Sequence, residues 1–138
     1  MSSRSIDDLH PQFKPMASQF LILAQQAGLD VLIYCTYRSN QEQAVLYAQG
    51  RTTPGDRVTD APAGQSAHNY GLAFDGVPML NGKPQWQREA PQWQIYGQVA
   101  DAAGLEWAGA PKFPFHEFPH VQMINWRMYI HNPTSVST

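Results

Sequence analysis

Cysteine is nearly absent from this sequence, and charged residues are few. The single cysteine, Cys35, excludes an internal disulfide, and its apolar neighbours predict a buried, inert thiol. Charged residues make up 14% of the 138 residues and hydrophobic residues 43%, which favours a folded core over a disordered segment. We therefore expect residues 1–138 to form one domain, with a frayed polar tail at 132–138.

The sequence also lacks a surplus of positive charge and any long apolar run. Nine Lys and Arg against eleven Asp and Glu give a formal net charge of −2, and the basic residues are scattered, so we expect no nucleic-acid partner. No segment is long enough to span a membrane, and the first residues contain no signal peptide. We expect a monomer that is made in the cytoplasm and does not insert into a membrane.

Hydrophobic periodicity predicts three helices and four strands. The helices are predicted from about Leu9 to Gly28, from Ser39 or Asn40 to about Gln49, and from Glu89 to Ala103; the strands are predicted at Val31–Tyr37, Gly71–Val77, Leu105–Trp107 and Phe118–Gln122. Asn81-Gly82 predicts a hairpin turn. These elements are too few and too short for a doubly wound sheet, so we predict an α+β fold, a small antiparallel sheet with flanking helices.

A long stretch without periodicity, residues 51–65, leads into the first motif that carries chemistry. Loops of that length in a compact domain are uncommon unless they are functional. The motif is Ser66-Ala67-His68-Asn69-Tyr70-Gly71-Leu72-Ala73-Phe74-Asp75, a histidine followed seven residues later by an aspartate in a predicted strand. Alternation along a strand puts Gly71, Ala73 and Asp75 on one face, and the two small residues leave room there for a metal ion.

A second motif places Glu117 three residues before His120, at the start of another predicted strand. Two imidazoles and a carboxylate, from His68, Asp75 and His120, suit a catalytic Zn²⁺, which keeps a fourth position for water. The ion lowers the pKa of that water toward roughly 7. Hydrolysis also needs a general base outside the ligand set, for which Glu117 is the candidate, and Arg38 is the candidate for stabilising charge on the carbonyl oxygen.

Residues Ile33–Gln122 resemble the family of zinc D-Ala-D-Ala carboxypeptidases and L-alanyl-D-glutamate endopeptidases. Residues 66–75 are similar to its S-x-H-x-x-G-x-A-x-D signature, and Tyr37-Arg38-Ser39, residues 46–52 and the downstream Glu-x-x-His extend the similarity. The small endopeptidase branch that includes phage endolysins is the most similar. The resemblance implies that His68, Asp75 and His120 bind Zn²⁺, Glu117 is the base, Arg38 is the electrostatic stabiliser and Ser66 lies near the substrate.

The resemblance also implies a substrate, the stem peptide of peptidoglycan, cut at its L-alanyl-D-glutamate bond as in endolysin-type lysis. A chain without a signal peptide would reach the cell wall only after release by another protein such as a holin. Three alternatives remain open. They are a D,D-carboxypeptidase or dipeptidase acting on D-Ala-D-Ala, a non-catalytic zinc-containing wall-binding module, and a nuclease, which the scarcity of basic residues disfavours.

The other histidines and the tryptophans have structural interpretations. His116 is expected to be exposed or to lie behind the metal ligands, because neighbours in an extended segment point to opposite faces. His10 and His131 lie near the chain ends and are expected at the surface. The tryptophans are expected to pack in the core or at its edge rather than to line a sugar-binding groove; they are Trp86, Trp93, Trp107 and Trp126.

Overall fold

Three helices and five antiparallel strands form the part of the chain that the structure describes. The structure is a computed structural model that describes residues 2–114 and 116–130. The elements are α1 (Lys14–Gln26), β1 (Asp30–Cys35), α2 (Asn40–Ala48), β2 (Ala73–Leu80), β3 (Lys83–Pro84), α3 (Pro91–Ala102), β4 (Leu105–Trp107) and β5 (His120–Met123), with 3₁₀ turns at Ile6–Asp8, Ala67–Tyr70 and Trp126–Met128. The predicted α+β class is confirmed. His131 and the predicted tail at 132–138 lie outside the described residues.

Helix α1 begins later than the sequence predicted because prolines control its start. Hydrophobic spacing predicted a helix from about Leu9, but Pro11 disfavours helical backbone at the residue before it, and Leu9 itself is extended. The helix starts at Lys14, with Pro15 in its first turn, where a missing N–H group is tolerated. Its buried residues are Ala17, Phe20 and Ala24. No helix among the described residues has the length and apolar character needed to cross a bilayer.

His10 is buried, so the prediction of a surface position is wrong. The residue is only 4% exposed. Its backbone N–H donates to the carbonyl of Gly71 at 2.9 Å, and its ring Nδ1 accepts from the backbone N–H of Gln12 at 3.0 Å. The ring also lies edge-on to Tyr129. The N-terminal segment is therefore held against the turn that precedes β2, a long-range contact that position in the chain does not predict.

Strand β2 is the centre of the sheet. The strand order is β1-β2-β5-β4, and β3 pairs with the far end of β2. The hairpin predicted at Asn81-Gly82 is confirmed, since both residues have positive φ (54° and 77°), as a two-residue type I′ turn requires. Strand β2 thus pairs with three other strands. Its first residues, 73–75, pair with β5, and residues 75–79 pair with β1 on the opposite edge.

Alternation along β2 separates the core from the site. Phe74 is fully buried, and its ring centroid lies 5.0 Å from that of Phe20 in α1. Phe20 in turn lies 5.2 Å from Tyr96 in α3, so both helices cover the same face of the sheet. Each buried aromatic ring removes roughly 150–250 Å² from water, which makes this cluster a large part of the core. Asp75, the next residue, points to the opposite face.

Three tryptophans, Trp93, Trp107 and Trp126, pack in the core or at its edge as predicted. Trp86 is 56% exposed and lies at the surface beside Tyr34.

Trp107 in β4 packs between two glycines. A β-carbon built on Gly97 of α3 would lie 2.2 Å from Cε3 of the Trp107 ring, and one built on Gly109 would lie 2.2 Å from its Cζ2. The indole N–H donates to the carbonyl of Phe118 at 2.7 Å, which ties β4 to the segment leading into β5.

We expect Gly97→Ala to lower the free energy of unfolding by about 1–3 kcal/mol, because the added methyl group overpacks the Trp107 contact. Alanine is favoured over glycine in a helix by about 1 kcal/mol, which offsets only part of that cost. Urea denaturation measures the difference. The matched control is Gln98→Ala on the exposed face of α3, which should change stability by less than about 0.5 kcal/mol. Unchanged stability of the Gly97 variant would contradict the tight contact.

Candidate metal centre and active-site cleft

The register of the sheet places Asp75 beside residues from two other strands. Asp75 pairs with His120 of β5 and with Cys35 of β1. The β1–β2 register shifts between Ile33 and Cys35, so Tyr34 is the extra residue of a bulge. Side chains of directly paired residues lie on the same face of a sheet, so Cys35, Asp75 and His120 project together.

His68 reaches the same place from the 3₁₀ turn that precedes β2. Ser66 caps this turn, and its Oγ accepts the backbone N–H of His68 at 3.3 Å. Asn69 ties the turn to the chain after β1, because its amide donates to the carbonyl of Arg38 at 2.9 Å. Gly71 ends the turn with φ 69°. The sequence suggested that Gly71 leaves room for a metal ion. A β-carbon at Gly71 would instead lie 2.7 Å from the backbone nitrogen of His10, so this glycine makes room for the N-terminal segment.

The three predicted ligands converge on one point. Nε2 of His68 lies 3.1 Å, and Nδ1 of His120 lies 3.3 Å, from the same oxygen, Oδ1 of Asp75. The two imidazole rings are 5.0 Å apart between centroids and inclined by 70°. A tetrahedral site with bonds of roughly 2.0–2.1 Å separates its ligand atoms by roughly 3.3 Å. Both nitrogen-to-oxygen distances at Asp75 lie close to this spacing, and two imidazoles with a carboxylate are ligands that zinc takes.

Hydrogen bonds on the far side of each ring orient the two histidines. Nδ1 of His68 lies 2.8 Å from the carbonyl of Thr36, an acceptor, so this nitrogen carries the proton. Nε2 of His120 lies 2.8 Å from Oε1 of Gln122, and the Gln122 amide donates to Glu106 at 2.9 Å, which fixes the amide orientation. Both rings therefore turn their other nitrogen toward a carboxylate, an arrangement that needs a proton or a metal ion between them.

The electrostatics of His68 and Asp75 agree with this geometry. Burial acts to lower the pKa of His68, but the charge and hydrogen bond of Asp75 outweigh burial and raise the pKa to about 10. Burial acts to raise the pKa of Asp75, yet the two histidines hold that pKa far below its usual range. Asp75 is thus an anion at neutral pH, as a metal ligand must be.

Cys35 borders this centre, so its interpretation as an inert core thiol is incomplete. It is buried as predicted, at 4% exposure, and its sulfur lies 3.8 Å from Nδ1 of His68. Burial raises the pKa of the thiol, but the hydrogen bond and charge of His68 outweigh burial, and the pKa is lowered. Cys35, His68 and Asp75 also form a group of donors within 4.8 Å of one another. The sulfur faces the ring nitrogen of His68 that is turned away from Asp75, whereas Nδ1 of His120 approaches Asp75 itself.

Arg38 is fixed beside the ligands by bonds at all three of its side-chain nitrogens. Nη1 donates to Gln43 at 3.0 Å, Nε donates to Ser2 at 3.2 Å, and Nη2 donates to the sulfur of Cys35 at 3.2 Å. Nη2 also lies 3.9 Å from Oδ2 of Asp75. Gln43 is fully buried, and its amide donates to the carbonyl of Ala61 at 2.7 Å, so it ties the long loop to the same group.

A cleft of about 690 Å³ opens over the three predicted ligands. Arg38, Ser66 and Glu117 line it, as do the three ligands themselves. Glu117 is exposed, and its backbone N–H donates to the carbonyl of Ala108 at 3.2 Å, which fixes the turn before β5. His116 also lines the cleft. It is exposed, which is one of the two positions that the sequence predicted for it.

Several residues at the site were not predicted from the sequence. Gln122 stands two residues after His120 in β5, so strand alternation alone would have placed it on the same face. Glu106 lies opposite Gln122 in the register of β4 and β5, and Lys112 pairs with Glu106 at 2.8 Å. Arg88 and Arg127 also line the cleft. Arg88 packs on Phe118, which is distant in the chain, so the local sequence has no signal for that contact, whereas Arg127 packs on the adjacent Trp126.

The sequence matches the VanY family, described as D-alanyl-D-alanine carboxypeptidase, over residues 7–108. The chain belongs to this family. The match includes Arg38, Ser66, His68 and Asp75. It ends before His120, which the sheet register brings next to Asp75 in this VanY-family chain.

Relatives with assigned activities resemble this VanY-family chain over most of its length. The peptidoglycan L-alanyl-D-glutamate endopeptidase CwlK of Bacillus subtilis (strain 168) is 39% identical over 125 residues, which cover 85% of this chain and 74% of CwlK. The L-Ala D-Glu endopeptidase ChiX of Serratia marcescens has a TM-score of 0.62 at 20% identity, covering 89% of this chain and 88% of ChiX. The D,D-pentapeptidase VanY of a VanB-type resistance cassette, solved with Zn(II), has a TM-score of 0.63 at 15% identity, covering 91% and 79%. At these identities the two structures show a shared fold.

Proposed function

We propose that this protein is a zinc-dependent peptidoglycan endopeptidase that hydrolyses the L-alanyl-D-glutamate bond of stem peptides, as an endolysin-like enzyme acting on the cell wall as a monomer. The observation that carries the proposal is the convergence of His68 Nε2 and His120 Nδ1 on one oxygen of Asp75, at 3.1 and 3.3 Å. The substrate is inferred from CwlK, which is 39% identical and is an L-alanyl-D-glutamate endopeptidase. The zinc is inferred from the donor set and from the Zn(II) complex of the structurally similar VanY.

The residues of the chain divide the hydrolytic work between them. His68, Asp75 and His120 hold the ion, which when bound supplies the charge that lowers the pKa of a water molecule and polarises the scissile carbonyl. Glu117 takes the proton of the attacking water and delivers it to the leaving amine. Arg38 stabilises the negative charge that develops on the carbonyl oxygen, and Ser66 contacts the substrate at the wall of the cleft.

Product analysis tests the assigned bond. Purified muropeptides are digested with zinc-loaded protein, and the products are weighed by mass spectrometry. We expect cleavage after L-Ala, which frees the whole peptide that begins with D-Glu. Release of a single terminal D-Ala would instead identify a D,D-carboxypeptidase, the activity that describes the family. A protein that binds wall fragments without any cleavage would be a zinc-containing wall-binding module. Sedimentation velocity of the same sample tests the monomer.

The bond from His120 to Gln122 gives a prediction about the affinity for zinc. We expect Gln122→Leu to weaken zinc binding by about 10–100-fold, because loss of a hydrogen-bond partner behind a metal-binding histidine leaves its tautomer and ring orientation unfixed. Competition with a chromophoric chelator measures the dissociation constant. Gln122→Glu keeps an acceptor for the imidazole N–H and should bind zinc more tightly than the leucine variant. Equal zinc affinity of wild type and Gln122→Leu would mean that the contact at 2.8 Å does not orient His120.

A further inference from the structure

The arginines that line the cleft differ in what their side chains already bind. Arg38 uses each of its three side-chain nitrogens in a bond to another residue of the chain. Arg88 and Arg127 line the same cleft and are exposed. Within residues 2–114 and 116–130, neither guanidinium has a carboxylate within 4.0 Å. Asp60, a further acid of the cleft, is paired with Arg51 at 3.4 Å.

Aromatic rings hold both of these free guanidinium groups in place. The Cζ of Arg88 lies 4.9 Å from the centroid of the Phe118 ring, and the Cζ of Arg127 lies 4.3 Å from that of the Trp126 ring. A guanidinium stacked on a ring gains cation–π attraction and keeps its edge of N–H donors exposed. The side chains are therefore positioned without using the donors that would recognise a ligand.

The supporting rings are themselves fixed by the core. Phe118 packs against Trp93 and Trp107 at 5.7 and 5.3 Å between centroids. Trp126 is buried and stacks on Tyr70, in the turn that carries His68, at 5.9 Å and 28°. Arg88 is therefore supported by Phe118, the residue after Glu117. Arg127 is supported by Trp126, which packs against the turn that carries His68.

We propose that Arg88 and Arg127 bind the free carboxylate of glutamate in the substrate peptide. The enzyme would then select stem peptides in which the glutamate carboxyl group outside the peptide chain is a carboxylate rather than an amide. This inference rests on the proposed function, because a glutamate that is linked through one carboxyl group presents the other either as a carboxylate or as an amide. Arginine matches a carboxylate with two parallel N–H donors and makes no such pair with a primary amide. Loss of one such charged hydrogen-bonded contact corresponds to about 10–100-fold in affinity.

The test uses two synthetic peptides that differ only in whether the free carboxyl group of D-Glu is a carboxylate or a primary amide. We expect wild-type, zinc-loaded protein to have a kcat/KM about 10–100-fold higher for the carboxylate peptide. In the double variant Arg88→Gln/Arg127→Gln, the ratio of kcat/KM for the carboxylate peptide to that for the amide peptide should fall to about one. Single variants show which arginine contributes more. Arg4→Gln, which removes an exposed positive charge outside the cleft, is the matched control and should keep the wild-type preference.

Calorimetry separates failure of this inference from failure of the proposed function. Binding of both peptides is measured with wild-type and double-variant proteins at low and at high salt, where an exposed charge pair is screened. If the protein cuts neither peptide but binds the carboxylate peptide more tightly, in a way that depends on the two arginines, the anion site stands and the proposed bond is wrong. If wild type binds and cuts both peptides equally, or the double variant keeps the preference, the inference is overturned although the endopeptidase activity stands.

Discussion

Glu117→Gln is expected to lower the turnover number on wall peptides by about 10²–10⁴-fold while zinc stays bound. A positioned general base contributes that factor, and glutamine keeps the size of the side chain but cannot accept the proton of the attacking water. The side chain is exposed and lies outside the three converging donors, so folding and metal content should not change. Muropeptide hydrolysis and metal analysis on the same preparation measure both quantities.

Glu89→Gln is the matched control for this experiment. Glu89 is an exposed glutamate that does not line the cleft, so the same chemical change there should leave turnover at the wild-type value. Wild-type turnover by the Glu117 variant would remove Glu117 from the proposed mechanism. It would leave the metal centre in place, because the convergence on Asp75 does not involve Glu117.

The second large effect is expected at the metal itself. We expect Asp75→Ala to weaken zinc binding by more than about 100-fold. Loss of a residue that only hydrogen-bonds to a metal ligand already lowers metal affinity by about 10–100-fold, and loss of a ligand should lower it further. Both histidine nitrogens approach the same oxygen of this carboxylate. Activity should fall to the level of wild-type protein treated with a chelator, and added zinc should restore the chelated wild type but not the variant.

Asp60→Asn is the control for a carboxylate in the same cleft. Asp60 pairs with Arg51 and lies outside the donor cluster, so its removal should not change zinc content. Circular dichroism establishes that both variants are folded. Full zinc occupancy of a folded Asp75→Ala protein would show that the ion, if any, binds elsewhere; Cys35 with His68 would then be the next pair to test.

Local patterns predicted the parts of this protein whose physical causes are local. Asn81-Gly82 forms the predicted turn, because tolerance of positive φ is a property of those two residues. Strand β4 lies at the predicted Leu105–Trp107. Helix α1 was misjudged at its start because hydrophobic spacing takes no account of the constraint that Pro11 puts on the residue before it.

The sequence by itself determined the candidate ligands His68, Asp75 and His120, since the residue types and their spacing within each motif are properties of the chain. Only the tertiary structure decided that His120 stands opposite Asp75 and that a bulge at Tyr34 brings Cys35 to its other side. It also decided that each side-chain nitrogen of Arg38 binds another residue of the chain, whereas Arg88 and Arg127 pack on aromatic rings with their guanidinium groups exposed. Register and side-chain packing depend on contacts between segments far apart in the chain, and no local pattern contains that information.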